Sequence, residues 1–142
     1  MSWGKPHKEK KSKAQSQKGE SEIKAKLDEL KAAVQKAFDT HRRFWFQTAL
    51  EGAYAIYVEW KDLGKSKKNA KVAAALFGVK RENGAHPLST IIKIVTPSTV
   101  DTRRWVKGLR FARKQGVVPK ELLASLKANG GISGCARQFD AG

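Results

Sequence analysis

The residues best suited to chemistry lie in one stretch, DTRRWVKGLRFARKQG, Asp101 to Gly116, which sets six cations against a single acid. Arg103, Lys107, Arg110 and Lys114 recur there at intervals of four, three and four. On a helix turning about 100° per residue they share a stripe roughly 60° wide, with Trp105, Leu109 and Ala112 on the opposite side. Arg104 and Arg113 flank the stripe, and Asp101 falls in the first turn, where the helix dipole favours an acid. Arginine outnumbers lysine four to two, and a guanidinium donates paired hydrogen bonds to phosphate oxygens or guanine edges. Like charges at these spacings repel by roughly 0.2–0.5 kcal/mol per pair. Such a face is unfavourable alone and favourable beside a polyanion. Its chemistry is anion binding, anchored from behind by an apolar stripe.

Catalysis finds no comparable footing. His7, His41 and His86 lack metal-ligand spacing, and the single Cys135 excludes a cysteine-rich zinc site. The GGISG segment precedes no Lys-Ser/Thr pair and so is not a phosphate-cradling loop. A Cys135 nucleophile paired with His86 weighs less than cysteine as a small core residue. The sequence predicts a non-enzymatic protein with no metal and no cofactor.

The chain that must position these cations has 142 residues and a net charge of +16, about one domain in length. The charge is unevenly distributed. Residues 65–118 hold thirteen cations and two acids, residues 21–64 hold seven of each, and residues 1–20 hold six and two. The central block is the footprint to explain. Within it Lys65, Lys67, Lys68 and Lys71 are expected to meet a nucleic-acid backbone at one edge, with Lys80 and Arg81 in a loop. Base readout would fall to Arg103, Lys107 and Arg110 together with Ser89, Thr90 and Lys93, because phosphate contacts position without specifying.

Periodicity supplies the elements. Residues 1–20 are too polar to offset the entropy of ordering and are predicted to form a disordered basic arm, either solvating or lying along phosphates. Across 21–41 the positions Ile23, Leu27, Leu30 and Val34 step by four, three and four, the spacing of a coiled-coil seam. That helix could serve its own core or a homodimer. Phe44, Trp45, Ala49, Ala53, Ile56, Tyr57 and Trp60 surround much of the next helix. This makes Arg42 to Leu63 the expected central, buried element. Lys65 to Lys68 reads as a loop, with Asn69 capping a helix over AKVAAALFG. Pro87 begins a further helix, PLSTIIKIV, and Ser98 or Thr99 caps the cationic one. Pro119 opens KELLASLKA, and ISGCARQF forms a last helix. The fold class is all-α, a long N-terminal helical region followed by a compact helical domain over 42–142.

Two fragments resemble the helix-turn-helix DNA-binding superfamily. AKVAAALFGV, with small Ala74, then Gly78 and Val79, is similar to its first helix and turn. LLASLKANGGISGCARQF resembles the helix–GG–helix hairpin of such domains. The resemblance implies that PLSTIIKIV is a recognition helix offering His86, Ser89, Thr90 and Lys93. Together with the charge block, this gives the expectation of a DNA-binding transcriptional or maintenance factor, dimeric if 21–41 pairs between chains.

The longest apolar runs, AYAIYV and VAAALF, have six residues each, far short of the roughly 20 that span a bilayer. With no signal-peptide pattern and one cysteine, a soluble intracellular protein is expected: cytoplasmic and nucleoid-associated, or nuclear in a eukaryote. Its expected partner is nucleic acid, with no membrane. DNA is favoured over RNA because the A-form major groove is too narrow for a helix. Binding of RNA or single strands on the same rail is one alternative. The other is a basic adaptor that docks on, and inhibits, an acidic protein.

Overall fold

The computed structural model describes residues 4–40, 44–81, 84–96 and 100–142, with side-chain surroundings from Gly19 onward. Seven α-helices make up the described residues, with no strand: α1 (Gly4–Thr40), α2 (Trp45–Asp62), α3 (Ser66–Phe77), α4 (Pro87–Val95), α5 (Thr102–Lys114), α6 (Leu122–Ala128) and α7 (Gly131–Ala141). A single 3-10 turn at Pro119–Glu121 precedes α6. The fold is all-α, as the periodicity predicts.

Helix α1 begins at Gly4, inside the stretch expected to be a disordered arm. Its lysine, glutamine, glutamate and alanine residues propagate a helix readily once a nucleus exists downstream, because nucleation is the costly step. Ile23, Leu27 and Val34 are buried in the chain's own core. The seam that might have joined two chains is therefore occupied from within, and a dimer through 21–41 would have to use other positions. Gly52 explains how α1 and α2 come so close. A methyl group added there would run into the Leu30 side chain. Lys26 of α1 also pairs with Glu59 of α2 across the crossing.

Helix α2 is central, packing against α1, α3, α4, α5, α6 and the 3-10 turn, and α4 is buried along most of its length. Pro87, Leu88, Thr90, Ile91, Ile92, Ile94 and Val95 are all buried, and α4 packs against α1, α2, α3 and α5. Helix α2 keeps Glu51, Glu59 and Lys61 in solvent while Leu50, Tyr54, Ile56, Tyr57 and Trp60 are buried. Trp45 bridges the two halves of the molecule, 5.7 Å from Phe38 of α1 and 6.0 Å from Trp105 of α5 between ring centroids.

The start of α3 also differs from expectation. It begins at Ser66, so Lys67 and Lys68 occupy its first turn and Asn69 lies inside it. Polar residues at a first turn resemble a loop in sequence, because the orphaned N–H groups there want solvent or anions. The cap of α5 is Asp101, whose carboxylate accepts from the Arg104 backbone N–H at 3.1 Å; Ser98 and Thr99 lie outside the described residues, as do His41, Arg42 and Pro97.

Fully buried Tyr54 donates its hydroxyl to the Val117 carbonyl at 2.5 Å, tying the segment after α5 to α2. Burial raises the phenol's pKa against the opposing charge of Arg113, so it remains a donor through the neutral range. Tyr54→Phe strands that carbonyl and should cost about 1–3 kcal/mol, read as a lower midpoint in urea with unchanged helicity.

Candidate nucleic-acid interface

Helix α5 owes its orientation to the apolar stripe. Trp105, Val106, Leu109 and Ala112 are buried while Arg103, Arg104, Arg110 and Lys114 are exposed. Gly108 faces α7, where a Cβ would sit 2.9 Å from the Ile132 carbonyl oxygen and would collide with the Ile132 side chain. The absent side chain lets α7 lie along the base of the rail. The turn before α7 relies on Gly130 and Gly131, both in the left-handed region at φ 83° and 77°. Phe111 is half-buried and packs on the core.

The rail is divided into two unlike halves. Arg103, Arg104 and Lys107 line a groove of about 460 Å³ against α7, facing Ser133, Ala136 and Arg137, with Asp101 and Asp140 also in its walls. Lys107 pairs with Asp140 at 2.8 Å, and Arg104 with Asp101 at 3.4 Å. Arg110, Arg113 and Lys114 line a second cleft of about 420 Å³. Its other walls are Tyr57 and Lys61 of α2, Ser66 and Lys67 of α3, His86 and Pro87 at the head of α4, and Phe139 of α7. No acid lines this cleft. Arg113 reaches Asp62 at 3.5 Å, whereas Arg103, Arg110 and Lys114 pair with no acid among the described residues. The Arg110 guanidinium lies over the Phe139 ring, 4.8 Å from its centroid, an attraction that fixes its plane.

His86 records this concentration of charge. Its Nδ1 accepts the Leu88 backbone N–H at 3.1 Å, capping α4, which leaves Nε2 to carry the proton of the neutral ring. Its own burial, then Arg110, Lys61 and Arg81, push its pKa down from 6.5 to about 4. The unfolded imidazole takes up its proton near 6.5 and the folded one only near 4. Stability from this group is thus complete above pH 6.5 and is lost as pH falls through about 4. His86→Asn keeps a capping oxygen and removes the titration. Its urea midpoint should fall less than that of the parent between pH 6.5 and 4, the range set by the two pKa values.

The remaining predicted contacts fare unequally. Lys67 joins the second cleft. Lys65, Lys68, Lys71, Lys80 and Lys93 are exposed but line neither recess. Arg81 is a structural brace: its Nε donates to Thr90 Oγ1 at 3.2 Å and its Nη2 to the Ala85 carbonyl at 2.8 Å. Thr90 is 2% exposed and cannot reach a ligand; Ser89 is half-buried. Of the α4 side chains expected to read bases, only half-buried Ser89 and exposed Lys93 stay within reach of a ligand. Gly78 does end α3 in the left-handed region, at φ 65°.

Sequence reasoning overlooked Lys61, Arg137 and the role of His86. Lys61 sits in the charge-balanced region 21–64 and disappears into its average. The signal available was its placement four residues after Tyr57, on the same helical face. Cys135 is buried and its thiol pKa is raised by burial, the opposite of an activated nucleophile. Among the described residues no His, Cys, Asp and Glu side chains gather as a metal would require, and no helix is long and apolar enough to cross a membrane. Compared with protein-family models, curated proteins and solved structures, the chain matches none.

Proposed function

We propose that this chain is a non-enzymatic nucleic-acid-binding protein that grips duplex DNA through the exposed face of α5. The observation that carries this reading is the persistence of the cationic stripe in three dimensions. Arg103, Arg110 and Lys114 are exposed and without acidic partners among the described residues. From Arg103 to Lys114 the stripe runs about 16 Å along the helix axis. The face therefore matches a phosphate backbone in sign. An apolar back packed on α4 and α7 holds it rigid, so little side-chain-bearing backbone must be ordered on binding.

DNA remains the favoured polymer on geometric grounds. A helical ridge fits the wide major groove of B-form DNA, whereas the A-form groove excludes it. A regulatory or genome-maintenance role would follow from such binding, in the cytoplasm of a bacterium or the nucleus of a eukaryote.

Salt dependence tests the reading directly. With six α5 cations neutralising about six phosphates, log K plotted against log salt for a short duplex should slope near −5. A flat plot would remove every polyanion reading at once. Equal slopes and affinities for heparin would reduce the protein to a general polyanion binder, and tighter binding to structured RNA would displace DNA as the partner.

A further inference from the structure

We infer that the cleft between α2, α3, the head of α4 and the C-terminal half of α5 receives a phosphomonoester, the 5′-phosphate at the end of a nucleic-acid strand. This rests on the nucleic-acid reading above and adds a ligand class to it. Lys61, Lys67, Arg110, Arg113 and Lys114 converge on about 420 Å³ with no carboxylate in the walls. That is more positive charge than one internal phosphodiester neutralises. A terminal phosphate carries about −1.5 to −2 near pH 7 and three strong acceptor oxygens. It satisfies several convergent donors where a diester satisfies few.

Three further features agree. The N-terminus of α3 opens onto the cleft through Ser66 and Lys67, and no side chain caps it, so its N–H groups and helix dipole add to the field. His86 stands in the wall as a neutral donor, its other nitrogen held by Leu88. Tyr57, whose ring lies 5.0 Å from that of His86, and Phe139 give the cleft apolar walls against which a sugar or base can rest. The volume is at the small end of ligand-sized recesses, suited to a terminal group and not to a continuing duplex. Arg110 belongs to both the cleft and the rail, so a strand whose end is seated here continues along Lys107 and Arg103. That continuity favours a nucleic-acid end over a phosphorylated peptide.

The test compares one short duplex with 5′-phosphate and with 5′-hydroxyl ends, titrated into the full chain at fixed salt. The phosphorylated duplex should bind roughly tenfold tighter, the size of one charge-assisted hydrogen bond. A nucleoside 5′-monophosphate in excess should abolish that gain without displacing the hydroxyl-ended duplex. Lys61→Ala and Lys67→Ala together should bring the ratio towards one, while Lys93→Ala, which lines neither recess, keeps it. Equal binding of the two ends overturns this inference and leaves the duplex reading standing; failure of both to bind overturns the duplex reading itself. A ratio unchanged in the Lys61, Lys67 variant, or a phosphoserine peptide that competes as well as the nucleotide, also overturns it.

Discussion

Replacing Arg103, Arg110 and Lys114 together with alanine is expected to flatten the salt dependence of duplex binding by roughly three units of slope, since each removes about one neutralised phosphate. At about 0.1 M salt the affinity should fall several hundredfold, and the two plots should converge towards 1 M, where counterion release no longer favours the complex. The three residues are exposed and unpaired with acids among the described residues, so their loss spares the core. Only the Arg110 contact with Phe139 is given up, worth about 0.5–1 kcal/mol at an exposed site. Helical circular dichroism should therefore be unchanged. Removing Lys107 would be a poorer experiment. Its partner Asp140 would be left facing the groove, mixing a lost attraction with a new repulsion.

Gly108→Ala should be strongly destabilising. In the interior of a helix the change would by itself stabilise by about 1 kcal/mol. Here the new carbon meets the Ile132 carbonyl oxygen at 2.9 Å as well as the side chain of the same residue. A backbone oxygen cannot rotate away, so α5 and α7 must separate, at about 3 kcal/mol for overpacking. The net loss of about 2 kcal/mol should lower the urea midpoint by about 1 M. Duplex affinity should fall too, because Phe139 and Asp140 move with α7. Gly52→Ala supplies the contrast. Its obstacle is the Leu30 side chain, which can change rotamer, so the cost should be smaller. If Gly108→Ala proves as mild as Gly52→Ala, α7 is not the support of the rail.

The comparison of these two glycines shows where sequence reading reaches its limit. Neither residue is marked out by its spacing in the sequence. Their purpose is a distance between two helices, and periodicity along one chain carries no such distance. The wheel of α5 was fully legible, because alternation between water and core at 3.6 residues per turn is a local property. Trp105, Leu109 and Ala112 are buried and the cations opposite are exposed. Helix α4 was misjudged for the converse reason. A position bearing Thr90 reads as polar, yet five of its neighbours on the same short helix are Leu, Ile or Val. A helix so apolar belongs in the middle, where Thr90 is satisfied by Arg81. The cleft was invisible because its cations come from α2, α3 and α5, which only chain reversal brings together. Lys61 and Lys114 are far apart in sequence and share one wall system.

The unequal halves of α5 have a vectorial consequence. Towards Asp101, Arg104 and Lys107 are answered by Asp101 and Asp140; towards Lys114, Arg113 alone meets an acid among the described residues, Asp62. A rod of uniform negative charge laid along the helix would be held more tightly at the Lys114 end than at the Asp101 end.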